Sequence, residues 1–460
     1  MIRTPRVSWL VLGVVGTLAV GRCTGPNVPT SDTDTGGSGG GSTSTGGSTA
    51  TGGKGSGGST TGGKSGAGGS TGTGGADTGG NEGTGGSMGG SPGTGGRATG
   101  GSPGTGGAGA GGAGTVTDPP CDNTVDNVAP SVDPPGGLAA NRVPMFVMLG
   151  FDDNAYVDGI NWVLDTLRTR KNSDGSAARA TFFISAGFAS DYFNPAGGQN
   201  APDLLNAWRR MKTDGHEIAN HSWSHSEMLA GMDKAGWQNE LQKAQDLFVN
   251  VLGVEKCKLG GFRTPFLNFS QSTFDAFKAV GLKYDTSIEF GYDWWMPPGS
   301  DKGWGPGTAE SGKHYYWPFT MNNAFPTGFF NKGVAPMPGV WEFPVYTFNK
   351  ITGDTAATVT GFDFNLWTKA QNESSFNFTE VLKNSLDQRL AGNRSPFAVG
   401  AHTDIYSQFD ASANTTWTNF NYQARRKALL DFIDYALTKP EVRLVTYRQL
   451  IAWLRKPTPL

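Results

Sequence analysis

The chain has 460 residues, a formal net charge of −2 at pH 7 and three cysteines. Because the charge is nearly balanced and no basic block lies beyond the N-terminus, a nucleic-acid partner is not expected. Composition divides the chain in two. Residues 24–120 are Gly, Ser and Thr with almost no large apolar side chain, whereas residues 121–460 are ordinary in composition and long enough for one large domain or two small ones.

Residues 1–23 have the pattern of an export signal. Arg3 and Arg6 precede the apolar stretch VSWLVLGVVGTLAV, which is too short for a comfortable membrane span. Cys23 stands where a bacterial lipoprotein signal carries its lipidated cysteine, although Arg22 occupies a position where a small residue is normal. We expect an exported protein, either secreted after cleavage at residues 19–21 or held at the cell surface by a lipid on Cys23. A retained N-terminal helix is the alternative to both.

The Gly/Ser/Thr-rich segment, residues 24–120, predicts a disordered linker. Such a composition cannot bury enough apolar surface to offset the entropy of ordering the chain. Its TGG and GGS near-repeats have neither the strict period nor the proline content of collagen. A Gly-rich coil of ~90 residues has a mean reach of roughly 50 Å, so we interpret the segment as a tether.

If Cys23 carries a lipid, Cys121 and Cys257 remain as an even pair in an oxidising compartment. A disulfide between them would fix the start of the folded domain to its body. Two unrelated thiols are the alternative.

The folded part shows strand and helix patterns that alternate along the chain. Apolar runs typical of buried strands lie at 143–153, 179–185, 216–222, 258–266 and 395–404. Helical spacing of apolar residues lies at 159–171, 201–215 and 235–253, while 271–288 indicates a helix then a strand and 442–456 a strand then a helix. This alternation favours an α/β fold with a parallel sheet or barrel.

Polar residues stand at the carboxyl ends of these predicted strands: Asp152, Asp153, His221, Arg263 and His402. In parallel α/β folds the carboxyl ends of the strands meet at one edge, where the chemistry takes place. We therefore expect these side chains to lie close together.

His221 and His225 predict a metal site together with one of the two aspartates. Histidines four residues apart share a face if the segment is helical, and adjacent residues leaving a strand point in different directions. One carboxylate of Asp152 and Asp153 can thus bind the ion while the other remains free as a base. Such a ligand set leaves coordination positions open for a hydrolytic zinc ion, and it equally suits an iron oxygenase. Solvent-exposed histidines at a helix start and an Asx turn at the aspartates are the structural alternatives.

Four separated motifs, GFDDN, HSWSH, GFRTPF and AHTDIY, resemble in this order those of the polysaccharide deacetylases, the NodB-like family 4 carbohydrate esterases. The flanking pieces ATFF, GHEIANHS, YWPFTM and PGVWEFP are similar to those of chitin deacetylases. The resemblance covers nearly all of residues 140–455. It implies a distorted (β/α) barrel and the metal-dependent removal of acetyl groups from an N-acetylated sugar polymer.

The resemblance also implies a role for each residue of the site. The ligands of Zn²⁺, or of another divalent metal, would be Asp153, His221 and His225. Asp152 would be the general base and Arg263 would hold it in place, the backbone N–H of Phe266 would stabilise the oxyanion, and His402 would protonate the leaving amine. A non-catalytic carbohydrate-binding surface protein on the same fold is the alternative function. We expect a monomer.

The sequence departs from the family pattern at two places. Gly150 occupies a position that is usually Thr, and no clear motif supplies the aspartate that orients His402, for which Asp285 and Asp293 are the candidates. The aromatic-rich stretch 291–345 offers rings for stacking on sugars, and we name Trp294, Trp295 and Trp317 as substrate-contacting candidates. The alternative is that these rings pack beneath the stretch.

Overall fold

The computed structural model describes residues 118–119, 121–190, 201–290, 315–322, 334–348, 359–374 and 376–460. The predicted export signal, nearly all of the predicted tether, and the candidates Asp293, Trp294 and Trp295 lie outside the described residues. Among the described residues, no helix is both long and apolar enough to cross a bilayer.

A curled sheet forms the centre of the fold. The strands, in chain order, are β1 (Met145–Asp152), β2 (Thr181–Ile184), β3 (Glu217–Asn220), β4 (Gly261–Phe262), β5 (Tyr284–Asp285), β6 (Glu289–Phe290), β7 (Phe319–Thr320), β8 (Trp341–Glu342), β9 (Val345–Tyr346), β10 (Phe397–His402) and β11 (Val442–Leu444). Nine of them form one sheet in the order β10-β1-β2-β3-β4-β5-β8-β7, with β11 paired to the first half of β1. Only the β7–β8 pair in this sheet is antiparallel among the described strands. β6 and β9 form a separate parallel pair.

Helices connect the strands and cover the sheet. They are α1 (Val157–Arg168), α2 (Ala201–Thr213), α3 (Lys234–Asn250), α4 (Gln271–Val280), α5 (Asp363–Asn372), α6 (Phe378–Ala391), α7 (Ala411–Thr416), α8 (Tyr422–Leu437) and α9 (Tyr447–Arg455). Their ends follow the local sequence. Asp233 caps α3 through the backbone N–H of Gly236, a Thr446–Gln449 capping box opens α9, and Gly281 ends α4 with a φ of 78°.

The half-barrel with helices around it confirms the predicted distorted (β/α) barrel. β1 is buried along its whole length, and its side chains alternate between two layers. Val147, Leu149 and Phe151 join the larger apolar core, which includes residues of the surrounding helices, whereas Phe146 and Met148 belong to a second cluster with α9 residues such as Trp453. The first strand is thus immobilised on both faces, and its carboxyl end is a rigid base for the site.

The segment that precedes β1 is fixed to the domain at several points. Cys121 and Cys257 form a disulfide with an S–S distance of 2.01 Å. The carboxylate of Asp126 accepts hydrogen bonds from the Arg455 guanidinium and from the indole N–H of Trp341, at 2.8 Å each. The chain from Cys121 onward is therefore part of the domain.

Candidate metal and catalytic centre

A tight turn after β1 separates the two adjacent carboxylates. Asp153 and Asn154 both have positive φ, 65° and 67°, a conformation that costs free energy for residues other than glycine. The Asn154 amide stabilises it by donating to the carbonyls of Phe151 and Phe183, at 2.9 Å each, and by accepting a hydrogen bond from Thr403 Oγ1. After this turn, Asp153 Oδ1 lies 3.5 Å and Asp152 Oδ2 lies 3.9 Å from the same atom, His221 Nε2.

The segment 221–225 is a loop, so helical spacing is not what brings His221 and His225 together. It follows β3, and Ser222 and His225 have φ values of 71° and 46°. Ser222 Oγ accepts from the backbone N–H of His225, and the Glu240 carboxylate on α3 accepts from the backbone N–H groups of residues 223 and 224. These side-chain hydrogen bonds replace helical ones and bring the two imidazoles to the same side, with ring centroids 5.0 Å apart.

Asp153, His221 and His225 converge on one point. Asp153 Oδ1 lies 3.0 Å from His225 Nε2 and 3.5 Å from His221 Nε2. It is buried, yet it accepts no hydrogen bond of good geometry from a described residue. His221 Nδ1 lies 2.7 Å from the carbonyl oxygen of Arg263, so the ring donates there and keeps the lone pair of Nε2 directed at the other ligands. An unpaired carboxylate oxygen between two imidazole nitrogens fits a small divalent cation.

The electrostatics of the cluster favour an ionised Asp153. Burial opposes its charge, but His225 and His221 outweigh burial and hold the pKa of Asp153 well below its usual value. In the described part of the chain, one other group has metal-ligand spacing: Cys121, Glu255 and Cys257, in which both thiols are consumed by the disulfide.

Arg263 fixes Asp152 from behind. The guanidinium is fully buried and donates to Asp152 Oδ1 at 2.7 Å, to the carbonyls of Thr286 and Gly150, and to Tyr447 Oη. Asp152 Oδ2 lies 3.9 Å from His221 Nε2, on the side of the metal cluster. One carboxylate oxygen is thus occupied by Arg263, and the other faces the place where the reaction would occur.

The close approach of Arg263 explains why residue 150 is glycine. A Cβ there would lie 3.0 Å from Arg263 Nη2 and 3.0 Å from the ring of Phe183, closer than side chains normally pack. The Phe183 ring in turn stacks on the guanidinium, whose carbon is 4.3 Å from the ring centroid. Glycine at position 150, where the family pattern usually has threonine, therefore leaves room for the Arg263 guanidinium.

His402 is oriented by Asp363, a residue that the sequence analysis did not identify. Asp363 Oδ1 lies 2.8 Å from His402 Nδ1, and Oδ2 accepts the backbone N–H of His402 at 3.0 Å. Burial disfavours the charged imidazole, but the Asp363 carboxylate outweighs burial and raises the pKa of His402 to about 10. His402 is therefore positively charged at neutral pH, as a proton donor must be.

The candidate Asp285 does not serve His402, and that prediction is wrong. Its two carboxylate oxygens accept from the hydroxyl and the backbone N–H of Ser287, at 2.7 and 2.9 Å, inside the sheet. Asp363 instead reaches His402 because Phe362 forms a parallel bridge with Gly400 on β10. In the sequence, Asp363 could have been noticed only as an acidic residue in the first turn of a helix, and acidic residues are common at that position.

Part of the chain is similar to known polysaccharide deacetylases. Residues 140–284 match the polysaccharide deacetylase family. Chitin deacetylase 8 of Bombyx mori is 27% identical over 358 residues, which are 74% of this chain and 79% of that protein. The chain contains a polysaccharide deacetylase domain. A chitin deacetylase of Pestalotiopsis sp is 30% identical over 119 residues, 25% of this chain and only 33% of its own length.

Solved structures of low similarity were also found for the deacetylase domain. A putative polysaccharide deacetylase from Mycobacterium smegmatis has a TM-score of 0.40 and 16% identity, covering 73% of this chain and 98% of its own. The peptidoglycan deacetylase PdaC from Bacillus subtilis has a TM-score of 0.35 and 16% identity, covering 69% and 94%.

The aromatic candidates of the deacetylase domain divide into an exposed and a buried residue. Phe266 has a positive φ of 57°, its side chain is 55% exposed, and its ring lies 4.6 Å from that of His225. Trp317 is only 2% exposed and stacks on Trp453 at 5.9 Å. Trp317 therefore belongs to the core, which corrects the prediction that it contacts a substrate.

Proposed function

We propose that this protein is an exported, zinc-dependent N-deacetylase that hydrolyses acetamide groups of an amino-sugar polymer of the chitin or peptidoglycan type and releases acetate. The observation that carries the proposal is the placement of Asp152 Oδ2 next to the Asp153–His221–His225 cluster, with Arg263 on the opposite oxygen. A base beside a metal site is one arrangement that can catalyse the hydrolysis of an amide.

The metal would be held by Asp153, His221 and His225, and when bound it would polarise the acetyl carbonyl and acidify a water molecule. Asp152 Oδ2 takes the proton of that water, and the hydrogen bond from Arg263 to Oδ1 keeps the carboxylate in the correct rotamer. His402, charged and held through Nδ1 by Asp363, delivers a proton from Nε2 to the departing amine. The backbone N–H of Phe266 is our candidate for a further oxyanion donor.

Acetate release from purified protein tests the activity. Colloidal chitin, chitin oligomers and peptidoglycan should be compared after chelation and after reloading with zinc, iron or manganese. We expect release that chelation abolishes and zinc restores. Binding to a polymer without acetate release, under every metal, would support a carbohydrate-binding protein instead, and oxygen consumption with iron would support an oxygenase.

We also propose that export and the tether place the domain outside the cell, on a lipid at Cys23 or free after cleavage. The sequence features that support this are the N-terminal apolar stretch and the Gly/Ser/Thr-rich segment. Membrane fractionation of wild-type protein and of Cys23→Ser separates the two forms. Limited proteolysis should cut within residues 25–115 and spare the domain from about residue 140; the reverse pattern would contradict the boundary.

A further inference from the structure

Two carboxyl groups that the mechanism does not use are buried behind Arg263. Asp285 on β5 and Glu342 on β8 are directly paired in the parallel register of the two strands. Both residues are 0% exposed. Two adjacent, buried carboxylates cannot both be ionised without a strong cation between them, because their charges repel and neither is solvated.

Asp285 accepts two hydrogen bonds, as an ionised carboxylate needs, whereas Glu342 has, in the described part of the chain, only the backbone N–H of Ile288 facing it. Asp285 accepts from the hydroxyl and the backbone N–H of Ser287. Neither oxygen of Glu342 makes a hydrogen bond of good geometry with a donor among the described residues. The proton therefore belongs on Glu342, from which it can be donated to Asp285.

The strand that carries Asp285 supports the catalytic segment. Ser287 Oγ donates to Asp285 Oδ1 and accepts the backbone N–H of Thr264 at 2.8 Å. The carbonyl of the intervening Thr286 accepts from Arg263 Nε at 3.1 Å. Asp285 thus orients the hydroxyl that holds Thr264, next to the guanidinium that holds Asp152.

We infer that Glu342 is a positioning residue, which keeps a proton shared with Asp285 and thereby maintains Arg263 and Thr264 in the geometry that the deacetylation requires. This inference rests on the proposed function for its effect on activity. Burial raises the pKa of Glu342 well above its ordinary value, and the charge of Asp285 and its hydrogen bond raise it further. Burial also raises the pKa of Asp285 to about 6, while hydrogen bonds from Ser287 and Glu342 oppose that rise.

Among the described residues, few charged groups surround the pair. Arg263 faces it from β4 and favours ionisation of both acids, and the backbone N–H of Ile288 faces Glu342. On β7, the residue paired with Glu342 is the uncharged Phe319. If Glu342 loses its proton at alkaline pH, a second negative charge arises near Arg263 and competes with Asp152 for the guanidinium.

The test compares Glu342→Gln with Glu342→Ala, and the exposed Glu380→Gln serves as a control. Glutamine keeps a neutral donor toward Asp285 and cannot ionise, whereas alanine removes the donor. We expect Glu342→Gln to retain kcat within about threefold at pH 7 and to lose less activity than wild type as the pH rises. Glu342→Ala should lose about 100-fold in kcat, the scale of a misplaced catalytic group, with a small change in KM.

Unfolding temperature gives a second reading that does not depend on acetate release. The folded protein retains the Glu342 proton at pH values where the unfolded chain releases it, so wild-type stability should fall as the pH rises above about 4.5. Glu342→Gln should reduce that slope, and Glu380→Gln should not. An unchanged slope would overturn the shared proton whether or not the protein is a deacetylase. A reduced slope with identical activity profiles in all variants would overturn the positioning role.

Discussion

The carboxylate of Asp363 binds His402 twice, through the imidazole Nδ1 at 2.8 Å and through the backbone N–H at 3.0 Å. Because one carboxylate fixes both the ring and the strand end that carries it, the direction of Nε2 is determined by a residue 39 positions earlier in the chain. Asp363 therefore determines both the charge of the His402 imidazole and the direction of its Nε2.

Replacing Asp363 should therefore move the pH dependence of the reaction. In Asp363→Asn the negative charge that raises the His402 pKa to about 10 is lost, so the alkaline limit of activity should shift to lower pH and kcat should fall by roughly 100-fold at pH 8. A pH–rate profile measures both. The surface change Asp387→Asn is the control, and an unshifted alkaline limit would contradict the assignment.

Loss of Asp363 should also alter stability in a defined window. A histidine whose pKa is raised on folding stabilises the protein fully below the unfolded value of 6.5, and this contribution is lost as the pH rises through about 10. The difference in unfolding temperature between wild type and Asp363→Asn should hence shrink between pH 6 and pH 10.

His225→Ala should lower metal content and turnover together. The variant removes one of the two imidazoles that face Asp153 Oδ1, and the remaining oxygen and nitrogen bind a divalent ion less tightly. Metal analysis after dialysis, alongside acetate release, measures the effect. Met228→Ala, an exposed change in the next turn of the same loop, should leave both at wild-type levels. Full zinc content and full activity in His225→Ala would refute the metal site.

The adjacent aspartates should have separable effects. Asp153→Asn replaces a charged ligand by a weak neutral one, so both metal content and activity should fall. Asp152→Asn should keep near-normal metal content while activity drops by ~100- to 10,000-fold, the usual contribution of a general base. The exposed Asp165→Asn is the control. Equal loss of metal in both variants would mean that the two carboxylates share the ion.

The disulfide should contribute substantially to stability. The Cys121–Cys257 bridge closes a loop across a sequence separation of 136 residues, and the chain-entropy argument gives about 5 kcal/mol for a loop of that size. A Cys121→Ala/Cys257→Ala double variant should unfold at lower denaturant concentration by that free energy. The single variant Cys23→Ala, tested without reductant, should unfold at the same denaturant concentration as the wild type.

The sequence pattern predicted the strands that carry the site better than the helices that connect those strands. β1 and β10 are continuous apolar runs that end in polar residues, so both the strand and the position of its functional side chain followed from the pattern. The helices α5 to α8 were not predicted, because α6 and α8 have only weak amphipathic periodicity and buried arginines such as Arg425 interrupt their apolar faces.

Pairings made through tertiary structure were the least predictable. His221 and His225 lie close together in a loop and not on a helix. The positive φ values of Ser222 and His225 are stabilised by hydrogen bonds to Glu240 and to Ser222 Oγ, and no glycine in the sequence marks this conformation. Asp285 and Asp293 were the candidates because both lie near the expected motif, whereas Asp363 lies far from it in the sequence. Only the bridge between Phe362 and Gly400 decides which carboxylate reaches His402.

The amino ends and the carboxyl ends of the parallel strands contact different parts of the chain. Cys121 is bonded to Cys257, which lies just before β4. Asp118 lies 3.8 Å from Arg448. The backbone N–H of Arg448 in turn donates to Glu217, the first residue of β3. The incoming chain therefore meets the amino edge, and Asp152, His221 and His402 occupy the carboxyl edge. The segment that the disulfide fixes therefore lies at the opposite edge of the sheet from the site residues, and it leaves the approach to Asp152, His221 and His402 to other parts of the chain.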